Sequence, residues 1–189
     1  MEREEELVVI EKIKNGDEGL YKFLVDSYSA KILSIVKGVV RSSADAEEVA
    51  QDVFVKAFFS LKKFRGESSF STWLYRIAYN MSISKVRKKS RYVSVENLNS
   101  FAGVDNSDGE TDDECLTKEE MFSILDTIVE SLDPSERFLL LSFYNHEKSI
   151  REISEITDMS ESNVKVKLHR IKKRIIALVN EENREVIYG

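Results

Sequence analysis

Cysteine is almost missing from this sequence: Cys115 stands alone, so no internal disulfide can form, and the chain reads as one suited to a reducing compartment. Proline and glycine are scarce as well, one and seven among 189 residues. No β-branched run alternates strictly with polar residues. Together these absences exclude a turn-rich sheet protein and predict an all-α fold. No stretch approaches the roughly 18 uninterrupted apolar residues of a membrane span. No N-terminal apolar run has the length of a signal peptide, so the expected location is the cytoplasm, with no direct membrane insertion. A glycine-rich phosphate loop is absent, and so is any nucleophile with a base at recognisable spacing, which predicts a protein that is not an enzyme and takes no cofactor. Of the two histidines, His169 has no His, Cys or acidic neighbour at ligand spacing, so no metal site is expected.

What the chain does have is segregated charge. The net charge is -6, yet Lys62 to Arg91 holds nine Lys or Arg against one Glu, the footprint of a polyanion-binding face. The run VDNSDGETDDECLTKEE reverses the sign and holds almost no large apolar residue, so it reads as a flexible acidic linker. NVKVKLHRIKKRI is basic again. The predicted architecture is therefore two small helical domains, residues 1–94 and 119–183, joined by a linker at 95–118 and followed by a short tail at 184–189. Fully extended, a linker of that length reaches roughly 80 Å.

Helical spacing locates the faces. ELVVIEKIK and EGLYKFLVDSYSAKILSIVKGVV each predict one helix, and a third runs from about Asp45 to Lys62, where Asp45 and Glu48 form a DxxE capping pattern. Its apolar stripe is Ala46, Val49, Ala50, Val53, Phe54, Ala57 and Leu61. At 3.6 residues per turn, Glu48, Gln51, Asp52, Val55 and Phe59 fall on the other side. Val55 and Phe59 there either pack beneath a neighbouring helix or form a partner surface with an acidic rim. A fourth helix starts near Ser69, with Phe70, Leu74, Ile77, Ala78 and Met81 as its core face. Thr72, Arg76, Asn80, Ile83 and Arg87 occupy the opposite face, flanked by Trp73 and Tyr79. Cations for phosphates, amides for base edges and rings for unstacked bases suit single-stranded or locally opened DNA. Large aromatics mostly serve packing, which favours Trp73 as core over base platform, and Arg76 could equally pair with a carboxylate such as Glu67.

In the second half, Thr117 and Glu120 mark a helix start, and Asp133, Pro134 and Glu136 mark another. Ile150, Ile153 and Ile156, then Val164, Leu168, Ile171 and Ile175, give two short amphipathic helices separated by the turn TDMS. That is the layout of a helix-turn-helix, with Ser160 capping the second helix. Ser162, Asn163, Lys165, Val166, His169, Arg170 and Lys173 face outward on it, placed to meet a major groove.

DAEEVAQDVFVKAFFSLKKFRGESSFSTWLYRIAYNMSISKVRKK, followed by SLDPSERFLLLSFYNHEKSIREISEITDMSESNVKVKLHRIKKRI, closely resembles the extracytoplasmic-function (ECF) group of bacterial sigma factors of the sigma-70 family. The resemblance covers the chain apart from the linker and both tails. It implies that the first domain is sigma region 2 and the second sigma region 4. It also implies a dissociable subunit that binds core RNA polymerase, reads the minus-ten and minus-thirty-five promoter elements, and promotes DNA opening. The polymerase clamp would be held by Asp45, Glu48, Gln51 and Asp52, with Val55 and Phe59 adding apolar contact. The minus-ten element would be met by Phe64, Arg65, Ser68, Ser69, Thr72, Trp73, Arg76, Asn80, Arg87 and Lys88, with Phe64 stacking on a flipped base and Asn80 reading its edge. The second domain would sit on the polymerase flap and read the minus-thirty-five element with Ser162, Asn163, Lys165, Val166, Lys167, His169, Arg170 and Lys173. Many relatives begin that helix Thr-Val-Lys-Ser-Arg where this chain has NVKVK, so a relative's base preference does not transfer. Members of the group commonly answer to an anti-sigma factor, which makes such an inhibitor a further candidate partner. The alternative reading is a stand-alone helix-turn-helix transcriptional regulator, which would normally dimerise.

Overall fold

The computed structural model describes residues 3–96, 129 and 131–188. Among the described residues are seven α-helices and no strand: α1 (Arg3–Lys14), α2 (Tyr21–Val40), α3 (Ser43–Ser60), α4 (Phe70–Glu96), α5 (Pro134–Tyr144), α6 (Ile150–Thr157) and α7 (Glu161–Tyr188). The acidic linker and the helix start expected at Thr117 and Glu120 lie outside the described residues.

Local chemistry explains the boundaries. α3 begins earlier than the DAEE pattern predicts, because Ser42, in extended backbone, is the N-cap and its hydroxyl accepts from the Asp45 amide at 3.4 Å. The Asp45 carboxylate is thereby free to act elsewhere. α4 starts where the Ser69 hydroxyl accepts the Thr72 amide at 3.0 Å. At α5, Asp133 accepts the amides of Ser135 and Glu136 at 2.8 and 3.0 Å, Glu136 accepts the Asp133 amide at 3.3 Å, and Pro134 opens the helix. A second reciprocal cap, Ser149 with Glu152, starts α6. α6 ends at Asp158 in left-handed backbone, φ +59°, and Ser160 then accepts the Asn163 amide to begin α7.

Helices α1 to α4 surround a core that includes Ile10, Leu24, Ile32, Ile35, Val36, Val53, Ala57 and Leu74. The predicted α3 stripe is buried, with Phe54 partly so. α5, α6 and α7 enclose a second cluster of Leu132, Leu139, Ile153, Val164, Leu168 and Ile171. α5 has two apolar sides. Leu139 faces α7's cluster, while Phe138, one position earlier, joins the first core, as does Ile156 of α6. The two helical units are thus docked, with α5 on α2 and α6 on α4.

Docking changes the reading of α4. Tyr79, expected beside the DNA face, packs edge-to-face on Phe138 with ring centroids 4.8 Å apart, and Tyr75 is buried with its hydroxyl 3.0 Å from His146 Nδ1. A helix buried on two sides cannot be resolved by a single apolar stripe. The second side of α4 is supplied by residues roughly sixty to seventy positions away.

Candidate nucleic-acid interface

The loop between α3 and α4 is built to be held still. Gly66 takes φ +75°, a left-handed turn that favours glycine. Lys14 of α1 donates to the Phe64 carbonyl at 2.8 Å while pairing with Glu11 at 2.7 Å. Phe64 is 3% exposed and packs on Phe70 and Trp73, with centroids 5.8 and 5.3 Å apart. Phe64, expected to stack on a base, here packs its ring against Phe70 and Trp73 and anchors the loop. Thr72, placed outward by the helical wheel, is also buried, because its hydroxyl bonds Ser69 at 2.8 Å and lies 3.5 Å from Glu152 of α6. Arg65, Arg76, Asn80, Arg87 and Lys88 are exposed, and Ser68, Ser69 and Trp73 are half-buried. Arg65 lies 3.9 Å from Glu67, whereas Arg76 pairs with Asp158 at 3.5 Å rather than with Glu67. Phe64, Arg65, Ser68, Thr72, Trp73 and Arg76 form one wall of a cavity of about 850 Å³ whose other wall is α6.

On α7 the predicted face projects as expected. Ser162, Asn163, Lys165, Val166, His169, Arg170 and Lys173 are exposed and Lys167 is half-buried, while Val164, Leu168 and Ile171 fix the opposite side against α5 and α6. Arg174 is drawn back, donating to the Ser131 carbonyl at 3.0 Å and pairing with Glu136 at 3.3 Å. A rigid helix with a polar and cationic front is what groove reading requires.

On α3, Val55 and Phe59 are 54% and 79% exposed, which decides between the two sequence readings in favour of an uncovered surface. They border a groove of about 700 Å³ formed with Tyr21, Val25, Phe54 and Phe58. Phe23, itself exposed, was not singled out from the sequence, because its position in the α2 repeat looks like any other apolar one. Gln51 and Asp52 are exposed nearby. Asp45 and Glu48 reach α4 instead: Lys85 lies 3.2 Å from Asp45 and 2.7 Å from Glu48, and Lys89 lies 2.8 Å from Asp45. Donors from Lys89, Ser42 and Lys85 hold the Asp45 carboxyl down at about 2. The acids of α6 and its C-cap are not among the residues singled out from the sequence. Glu152, Glu155 and Asp158 recur every third residue, a signal that could have found them, although Glu152 also serves as a cap. Among the described residues no group of His, Cys, Asp or Glu could hold a metal ion, and no helix is long and apolar enough to cross a membrane.

A helical bundle carrying a cationic helix, followed by a helix-turn-helix, defines a multidomain DNA-binding protein. Comparison with known proteins is more specific. Residues 24–92 match the family model of sigma-70 region 2, and residues 122–175 match that of sigma-70 region 4. The chain is 30% identical over 174 residues to the ECF RNA polymerase sigma-E factor of Escherichia coli K12, covering 89% of this chain and 91% of that protein. It is 29% identical over 168 residues to the ECF RNA polymerase sigma factor SigW of Bacillus subtilis, covering 85% and 89%. In fold it is similar to CnrH in complex with the cytosolic domain of CnrY, with TM-score 0.66, 17% identity, and 92% and 96% of the two chains covered. It is also similar to RpoE in complex with the anti-sigma factor NepR from Bartonella quintana, with TM-score 0.65, 18% identity, and 85% and 96% covered. The chain belongs to the ECF sigma factors of the sigma-70 family.

Proposed function

We propose that this ECF sigma factor divides its work among three surfaces. As a sigma factor it binds core RNA polymerase and promoter DNA and directs initiation. Asp45, Glu48, Gln51 and Asp52, with Val55 and Phe59, dock the polymerase clamp. Arg65, Ser68, Ser69, Trp73, Arg76, Asn80, Arg87 and Lys88 meet the opened minus-ten strand, and Phe64 and Thr72 shape the loop from within. Ser162, Asn163, Lys165, Val166, Lys167, His169, Arg170 and Lys173 read the minus-thirty-five duplex, while the second domain rests on the flap. Residues 1–94 and 119–183 are the working domains, and the site of action is the cytoplasm.

The observation that carries this division is the uncovered apolar face of α3 beside acids, on the same chain as a cationic α4 and a groove-reading α7. A stand-alone regulator needs the last of these but not the first. Base readout is assigned by chemistry: Asn163 can take adenine with two hydrogen bonds, and Val166 can meet a thymine methyl. The test is run-off transcription from a promoter library with core polymerase, with and without the chain. Specific transcripts that need both components support the proposal. Tight specific binding by the chain alone, with no transcripts, sinks it in favour of a regulator.

A further inference from the structure

A recess between α2 and the loop joining α5 to α6 contains none of the residues assigned to the three working surfaces. Its volume is about 350 Å³, and its walls include Lys31 and Ser34 of α2, Ser71 of α4, and Asn145, His146 and Lys148 of the loop. Lys31 and Ser34 stand three residues apart and so share a face of α2. Lys31 is exposed and has no ion-pair or hydrogen-bond partner among the described residues. Lys148 is held more firmly. Its side chain is 12% exposed, its ammonium donates to Ser71 Oγ and Glu152 Oε1, both at 2.9 Å, and it lies 5.0 Å from the centre of the Tyr75 ring.

His146 joins the two walls. Its Nδ1 is 3.0 Å from the Tyr75 hydroxyl, and the Tyr75 phenol, pushed up to about 12 by burial and then by Glu152, keeps its proton. A phenol donating to Nδ1 leaves a neutral imidazole with its own proton on Nε2, which is without a partner among the described residues. Burial first, then Lys148 and Lys31, hold the ring below the usual histidine value, so the charges acting on it are cations. Glu152 is committed to Lys148 and to the amide and hydroxyl of Ser149. Glu147 stands exposed at the rim, in left-handed backbone at φ +50°. Its carboxylate interrupts any cationic track leading out of the recess, which suits a discrete anion rather than a nucleic-acid backbone. The volume lies at the small end of ligand sites, so that anion must be compact.

We propose that this recess binds a phosphate group, free or carried on a small monoester of sugar-phosphate size. Lys31 brings an unpaired charge, and Lys148 has a third ammonium proton left after Ser71 and Glu152. The Nε2 proton of His146 and the hydroxyls of Ser34 and Ser71 complete the donor set. A tetrahedral oxyanion presents acceptors in several directions at once, which matches donors arriving from α2, α4 and the loop. The bound group ties those three segments together.

The test follows the imidazole nitrogens by NMR in the full chain carrying isotope-labelled histidine, titrated with inorganic phosphate or ribose-5-phosphate at an ionic strength held constant with sodium chloride. The chain has two histidines, and His146→Gln assigns them. His169, exposed on the cationic face of α7, reports non-specific phosphate binding. The expected result is a saturable shift of the His146 nitrogens at concentrations that leave His169 unmoved. Lys31→Gln should weaken that binding about tenfold, as for loss of one charge-assisted hydrogen bond, while Lys31→Arg should retain it. Tighter binding of ribose-5-phosphate than of inorganic phosphate identifies a phosphorylated metabolite as the ligand, and equal binding identifies free phosphate. A His146 signal that stays still, that moves only in step with His169, or that saturates identically in Lys31→Gln overturns the proposal.

Discussion

Phe64 illustrates how burial reassigns a residue. With its ring between Phe70 and Trp73 and its carbonyl held by Lys14, removing the side chain should cost about 3–5 kcal/mol of stability, as for other buried aromatics. Urea unfolding of Phe64→Ala checks this; a variant as stable as the parent but deficient in opening would restore the stacking role. Phe59 is the opposite case. Exposed as it is, Phe59→Ala should leave unfolding unchanged and weaken association with core polymerase, measured by a competition binding assay. At Arg170 the expected effect is electrostatic: Arg170→Ala should lower the salt slope of duplex binding by about one if that guanidinium neutralises one phosphate. An unchanged slope would move Arg170 off the backbone.

Among the elements, α5 and α6 carry the clearest start signals, and each cap can be tested alone. Asp133 accepts two amides and its partner Glu136 completes the reciprocal pair, so Asp133→Ala should destabilise the second unit by about 1 kcal/mol, read as a lower thermal midpoint. Much of this was legible in advance. Pro134 and Glu136 announced α5, Ser160 announced α7, and the outward face of α7 followed from helical spacing. The start of α3 is ambiguous in the sequence because two plausible caps, Ser42 and Asp45, stand three residues apart, and only the backbone at Ser42 shows which one accepts. α4 was half legible for a different reason. Periodicity reports that a side is buried but not what covers it, so Tyr75, Tyr79 and Thr72 could not be assigned to a distant helix.

Across the whole molecule, the docked seam makes stability depend on pH through His146. Burial, then the nearby Lys148 and Lys31, holds its imidazole below the usual histidine value. The unfolded or undocked chain therefore binds more protons, and the contribution of the docked form is full above about pH 6.5 and falls as pH drops below that value. Glu152 is also held below the ordinary carboxylate range: burial opposes this, but donors from Ser149 and Lys148 outweigh it. Its contribution persists until the solution is more acidic still. Energy transfer between dyes on Glu18→Cys and Lys172→Cys, one on each unit in a Cys115→Ser background, should therefore decline as pH is lowered from 7 toward 5.5, and His146→Gln should flatten that dependence. A decline of equal size in the variant would assign it to other groups.

The sequence by itself determined the helical class, the caps of α5 and α7, the cationic character of α4 and α7, and the family, because each is a local pattern in which spacing along a helix states the answer. Tertiary structure alone decided that Val55 and Phe59 stay exposed among the described residues, that Phe64 turns inward, and that Tyr75, Tyr79 and the acids of α6 meet residues far away in the chain. Those outcomes depend on how two amphipathic units share their second faces, and helical periodicity specifies a buried side without specifying its partner.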